Sequence, residues 1–186
     1  MSKQILVLQS SPRENGNSNT LAEQVINGAK EVGAEVESLM LHDMNIQPCD
    51  ACEVCQETGV CIIKDDMQKI YPLLEKADAI VLASPIYYFT INAQAKLCID
   101  RFYALETEQG NSLSGKEIGI VLTYGDTDLH NSGGINAIRT LEDIFRYIGA
   151  KIVGIVHGTA DEVGDAEKDS ELMERAFKLG QKLASV

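Results

Sequence analysis

Four consecutive apolar residues, Ile5-Leu6-Val7-Leu8, run into a stretch with nothing to bury. That stretch, Gln9-Ser10-Ser11-Pro12-Arg13-Glu14-Asn15-Gly16-Asn17-Ser18-Asn19-Thr20, is built of hydroxyls, amides and a guanidinium; beyond it Leu21, Val25 and Ile26 recur at a helical period. Strand, loop, helix is the implied order, which commits the start of the chain to a buried strand under a crossover helix. A helix N-terminus leaves its first backbone N–H groups unpartnered and carries partial positive charge, so donors here converge on an anion, most naturally a phosphate. Arg13 adds one full positive charge. The loop spells neither G-x-x-x-x-G-K-[ST] nor G-x-G-x-x-G, which argues against a triphosphate or a dinucleotide fingerprint and leaves a monophosphate without magnesium. The competing reading is that Asn17, Ser18 and Asn19, all favoured capping residues, only cap the helix.

The same alternation continues. Short apolar runs at 35–41, 79–83, 117–123 and 151–156 read as four further strands, with helices near 18–32, 66–76, 91–105, 134–148 and 166–184. Five strands with helical crossovers make an α/β parallel sheet covered on both faces, and one domain spanning 1–186 needs no partner domain to fill its core. A net charge of −12, from 28 acidic against 16 basic residues, disfavours nucleic acid and anionic membranes as ligands. No apolar run approaches the roughly 18–20 residues of a membrane span, so a cytoplasmic protein is expected. Five cysteines without a secretory signal point to thiols, metal ligands or redox groups in place of disulfides.

Ligands of such sheets bind at the carboxyl ends of the strands, where strand order switches. Three strand ends then share a cleft: the Ser11 to Asn19 loop, the loop Ser84-Pro85-Ile86-Tyr87-Tyr88-Phe89, and Thr123-Tyr124-Gly125-Asp126-Thr127-Asp128. Pro85 fixes the exit of the third strand, and Tyr87, Tyr88 and Phe89 offer flat apolar surface for a planar heteroaromatic ring. Gly125 allows close backbone approach. Phosphate at one end and aromatic surface at the other describe a mononucleotide, although each aromatic taken singly serves equally well as core or subunit interface.

Ser11-Pro12-Arg13 with Asn15-Gly16-Asn17-Ser18, Ser84-Pro85-Ile86-Tyr87, and Ala93-Gln94-Ala95-Lys96 with Asp100-Arg101 together resemble the NADPH-dependent FMN reductase family over nearly the whole chain. That resemblance implies a flavodoxin-like three-layer sandwich with sheet order 2-1-3-4-5, noncovalent FMN, NAD(P)H as a co-substrate, and homodimers or homotetramers. It assigns the phosphate to Ser11, Arg13, Asn17, Ser18 and Asn19 beside Pro12. Pro85, Ile86, Tyr87, Tyr88 and Phe89, with Tyr124, Gly125 and Asp126, would hold the ribityl chain and ring. Ser10 stands where the family commonly has glycine, and Cys98 where it often has an aromatic residue.

After the second strand the chain inserts Cys49-Asp50-Ala51-Cys52-Glu53-Val54-Cys55-Gln56-Glu57-Thr58-Gly59-Val60-Cys61, four of the five cysteines in thirteen residues. The spacing C-x2-C-x2-C-x5-C brings four thiolates within reach of one small inorganic centre, with Thr58-Gly59 supplying the turn that returns the fourth. It is similar to the iron–sulfur flavoproteins, a branch of the same family, in which such a run binds a [4Fe–4S] cluster beside FMN. A four-thiolate zinc site usually divides into two separated C-x2-C knuckles, and free or regulatory thiols are the remaining alternative. Asp50, Glu53 and Glu57 within the run disfavour both an added electron and thiolate formation. Cys98, alone on a helix, reads as a small buried apolar residue, and His42, His130 and His157 lack metal spacing.

Two functions follow. In the first, FMN joins a two-electron partner to a one-electron carrier through the cluster, with a ferredoxin-like protein or a small oxidant as partner. In the second, FMN alone passes electrons from NAD(P)H to flavins or quinones. Neither needs a side chain as acid, base or nucleophile, so no catalytic residue is assigned.

Overall fold

The computed structural model describes residues 2–108 and 110–185. Five strands lie parallel in the order β2 (Glu35–Met40), β1 (Gln4–Gln9), β3 (Ala79–Tyr87), β7 (Glu117–Tyr124), β8 (Lys151–Thr159). Two short antiparallel pairings accompany them: β4 (Thr90–Ile91) folds back onto β3, and β5 (Glu106–Thr107) pairs with β6 (Gly110–Asn111). The helices are α1 (Asn17–Glu31), α2 (Val54–Thr58), α3 (Met67–Lys76), α4 (Ala93–Asp100), α5 (Gly134–Ile148), α6 (Asp165–Lys168) and α7 (Ser170–Ser185). None is long and apolar enough to cross a membrane.

The central strands are apolar throughout because both faces are covered. Side chains alternate across the pleat, so Leu6, Leu8, Ile80, Leu82, Ile118 and Ile120 join the core beneath α3, α4 and α5. Ile5, Val7, Ala79, Val81 and Val121 turn to the opposite core, beneath α1 and α7. On that side α1 and α7 touch backbone to backbone. A Cβ at Gly28 would collide with the carbonyl of Phe177, and one at Gly180 with the carbonyl of Val25.

Four details depart from the sequence expectation. The segment Ser84–Tyr87 continues β3 where a loop was expected, with Pro85 in register with Thr123. The proline is tolerated because β1 stops pairing at Ala83, so on that side no ladder bond is lost. The sheet consequently has a sixth, two-residue strand, β4. The helix expected from residue 91 starts at Ala93, where Asn92 accepts the Ala95 N–H through its side chain (3.2 Å), and ends in a 3-10 turn, Arg101–Leu105. The helix expected over 166–184 breaks at Asp169, whose carboxylate caps the next helix by accepting the Leu172 N–H (2.9 Å).

Candidate functional site

A cleft of about 200 Å³ opens at the carboxyl ends of β1, β3 and β7. Gly16 is the N-cap of α1 and no side chain caps it, so Asn17, Ser18 and Asn19 do not cap the helix. Each instead has a separate position. Asn17 is bonded across to the segment before α6: its Nδ2 donates to the Glu162 carbonyl (2.8 Å) and its Oδ1 accepts the Ala166 N–H (3.1 Å). Ser18 is 1% exposed and its hydroxyl has no partner among the described residues. Asn19 turns to the Ser11 carbonyl (3.5 Å) and the Met40 sulfur (3.9 Å), leaving its own Oδ1 unpartnered. A buried hydroxyl and a free helix terminus facing one cleft are an open set of anion donors.

The walls are tightly determined. A Cβ on Gly16 would strike the Ser11 hydroxyl, so the loop comes closer to the helix start than any other residue permits. Arg13 donates through Nη1 to the Asp161 carbonyl (2.8 Å), which lays its stem along the rim. Ser10 N–H and hydroxyl both reach the Ala83 carbonyl (3.0 and 2.8 Å), while Asn92 Nδ2 donates to the Ser10 carbonyl (2.6 Å) and Asn92 N–H to the Ser84 hydroxyl (3.2 Å). One buried network therefore fixes the first loop, the end of β3 and the start of α4 together. The serine hydroxyl at position 10 adds one bond that glycine could not make.

Of the residues named from sequence, Ser11, Arg13, Asn17, Ser18, Pro85, Ile86, Tyr87, Tyr124 and Gly125 line this cleft. Pro12, Asn19, Tyr88, Phe89 and Asp126 lie outside its lining. Gly16, Thr123, Ala160 and Asp161 line it as well, the last two from the end of β8, which the sequence reading left out. The apolar run into Thr159-Ala160 carried that signal, since every parallel strand delivers its carboxyl end to the same edge. A Cβ at Gly125 would come within 2.6 Å of the Asp161 carboxylate.

Tyr88 and Phe89 form the two-residue loop between β3 and β4, both at positive φ (46° and 68°). Side chains other than glycine, asparagine and aspartate pay strain there, and such strain gathers at functional sites. Tyr88 is 98% exposed, whereas Phe89 packs on Gly133. His157, given no role from sequence, lies 3.1 Å from the Tyr124 hydroxyl through Nδ1. Burial, with the Arg175 charge, pushes the His157 pKa down, and burial pushes the Tyr124 phenol up.

The cysteine run lies against the 3-10 turn that follows α4, where Gln56 Nε2 donates to the Tyr103 carbonyl (2.9 Å). All five cysteines are free; Cys49 and Cys52 are exposed, Cys55 is the buried residue of α2, and Cys61 is half-buried. Cys98 is wholly buried, with its thiol pushed up to about 12 by burial. Ala51 and Glu53 adopt positive φ (55° and 60°), so the backbone reverses hand once between each successive pair of Cys49, Cys52 and Cys55. The Cys52 thiol is raised: a bond from the Val54 N–H pulls it down, and the Asp50 carboxylate outweighs that. Among the described residues no three His, Cys, Asp or Glu side chains close around a single ion. A four-iron cubane holds its thiolates farther apart than one ion does, and a set of four thiols suits it chemically.

Arg101 sits under this run and is 1% exposed. Nη1 donates to Asp65 Oδ2 (2.5 Å) and the Gln47 carbonyl (2.8 Å); Nη2 donates to Asp65 Oδ1 (3.3 Å) and Cys61 Sγ (3.3 Å). Asp100, its neighbour, is exposed and pairs with Lys96 (2.5 Å). Burial alone would push the Asp65 carboxyl up, but Arg101 and the N–H groups of Gln47 and Met67 hold it below the ordinary carboxylate range.

Residues 4–163 match the NADPH-dependent FMN reductase family. The chain is 32% identical to an iron–sulfur flavoprotein of Methanocaldococcus jannaschii, over 98% of this chain and 96% of that protein. An iron–sulfur flavoprotein of Methanosarcina thermophila is 29% identical over 96% and 92%. Among solved structures, an NAD(P)H:quinone oxidoreductase from Methanothermobacter marburgensis superposes with a TM-score of 0.78 at 17% identity, covering 98% of each chain.

Proposed function

We propose, from the premise that this chain belongs to the NADPH-dependent FMN reductase family and is an oxidoreductase, that it is an iron–sulfur flavoprotein passing electrons between a two-electron and a one-electron partner. The observation that carries the flavin half is the unpartnered Ser18 hydroxyl at the start of α1, lining a cleft in which Gly16 and Ser11 approach too closely for any side chain at position 16. Ser11, Arg13, Asn17 and Ser18 would hold the phosphate, with Asn19 behind them fixing the loop through Ser11. Pro85, Ile86 and Tyr87, facing Tyr124 and Gly125, would hold the ribityl chain and ring, and Tyr88 and Phe89 would shield the ring from the hairpin loop.

FMN supplies hydride and single-electron exchange when bound, and a cluster on Cys49, Cys52, Cys55 and Cys61 supplies single-electron exchange. The chain's own work is positional. Free N–H groups at the α1 terminus would bind the phosphate, the Ser10–Asn92–Ser84 network fixes the start of α4 against the ring end, and the 3-10 turn that follows α4 meets the cysteine run through Arg101 and Tyr103. Support for the cluster comes from the four-thiol spacing, the backbone reversals at Ala51 and Glu53, and the names of the relatives. NAD(P)H as donor, a ferredoxin-like acceptor, a cytoplasmic setting and a homodimer or homotetramer belong to the same proposal.

The exposed Cys49 and Cys52, with no ion-sized cage around them, favour a second reading: an NAD(P)H-dependent FMN or quinone reductase whose cysteines are free, regulatory or zinc-binding. Anaerobic purification with iron, sulfide and flavin analysis separates the two. FMN with four irons and four sulfides per chain is the expected result; FMN without iron establishes the second reading, and a protein that takes up no FMN from excess overturns both.

A further inference from the structure

Arg101 is the largest fully buried side chain among the described residues, and the proposed flavin cleft does not use it. Its ion pair with Asp65 is equally buried, at 1% exposure on each side. Burying two charges is costly, and apolar residues of the same shape often serve a core as well, so the pair calls for a purpose beyond packing. Its bonds show where that purpose lies. Through Gln47 and Asp65 the guanidinium ties together the two ends of the segment that contains the whole cysteine run. All four terminal N–H groups are committed, three to oxygen and the fourth to Cys61 Sγ. A neutral thiol is a weak acceptor. A metal-bound thiolate carries charge and rewards the same donor with a charge-assisted bond.

We propose that Arg101 is a positioning residue for the iron–sulfur centre: its Nη2–H···Sγ bond to Cys61 orients the fourth ligand and raises the reduction potential of the cluster. This rests on the cluster reading given above. When the cluster gains one electron its sulfurs become more negative, so a fixed donor and a buried positive charge stabilise the reduced form more than the oxidised form. The effect opposes that of Asp50, Glu53 and Glu57 on the same run. Those carboxylates are solvated and screened; Arg101 is neither. Because Arg101 directly follows α4, whose first residue is set by Asn92 of the flavin network, the same element that fixes the ring end also tunes the sulfur end.

The test uses anaerobically purified full-length protein with FMN and cluster in place, titrated potentiometrically with paramagnetic resonance as the readout. Arg101→Lys keeps the charge for Asp65 and loses the fork that reaches Cys61. Its ratio of reduced to oxidised cluster at a fixed poise is expected to fall about tenfold, equivalent to 59 mV for a one-electron couple. Asp65→Asn leaves the N–H···S bond and should not lower that ratio. An unchanged midpoint in Arg101→Lys with four irons retained overturns the proposal, as does an equal fall in both variants, which would mark the pair as a structural anchor only. If Arg101→Lys fails to assemble its cluster, the unsubstituted protein grown with ¹⁵N-guanidinium arginine decides the matter. A nitrogen hyperfine coupling to the reduced cluster is expected, and its absence refutes the bond. Iron-free unsubstituted protein sinks the cluster reading itself, a result visible before any variant is made.

Discussion

Gly16 and Ser11 approach so closely that a single added carbon on Gly16 would occupy the space of the Ser11 hydroxyl. The approach is what brings the first loop over the open end of α1. Gly16→Ala must push Ser11 outward into the anion site, and overpacking of this kind costs about 1–3 kcal/mol. FMN affinity is expected to weaken roughly 10–100-fold while far-ultraviolet circular dichroism stays unchanged, measured by quenching of flavin fluorescence. Unaltered affinity would mean that the phosphate lies elsewhere.

Tyr88 sits at φ 46° with its side chain almost wholly in solvent, so in the free protein its ring contributes strain and little packing. Tyr88→Asn suits a left-handed position and should stabilise the apo protein by roughly 1 kcal/mol, visible as a higher melting temperature. The same variant should bind FMN less tightly. A substitution that raises stability and lowers affinity together identifies the strain as functional; one that does neither identifies Tyr88 as an ordinary turn residue.

Cysteine replacement should divide by position. Cys98→Ala opens a small cavity in the core under α4 and is expected to cost about 1 kcal/mol, while iron content stays at the unsubstituted level. Cys55→Ala should lose the iron and keep FMN bound. Iron and flavin assays on the two proteins, prepared side by side without air, check the division.

The half-buried His157 has a pKa below its ordinary value of 6.5, through burial first and the Arg175 charge second. The folded state therefore resists a proton that the unfolded chain accepts. The stability this represents is fully present above pH 6.5 and is lost as pH falls through the lower folded value. Denaturant midpoints measured downward from pH 7.5 should decline more steeply in the unsubstituted protein than in His157→Gln. Coincident slopes would remove His157 as the cause.

Much of this architecture was readable before any coordinates, because strands buried on both faces must be apolar and crossover helices must be amphipathic. The loop proposed to hold the phosphate stood out for a related reason: Gln9 to Thr20 carries no apolar side chain but Pro12 to put in a core. What escaped depended on contacts between distant residues. That Ser84–Tyr87 remains strand follows from where β1 ends, and that the segment after β8 is tied to the first loop follows from Arg13 and Asn17 donating to the carbonyls of Asp161 and Glu162. Neither relation leaves a local trace. Arg101 was visible as a letter beside Asp100, but only the fold shows that one of the pair is fully buried and the other solvated.

At Gly28 and Gly180 two helices rest main chain on main chain. A side chain at either point would wedge the final helix away from the first and tilt the amino end of the first helix out of the cleft. The proposed grip on a cofactor phosphate would thus be calibrated at the far end of α1, and a methyl group placed there should be felt by a ligand it never meets.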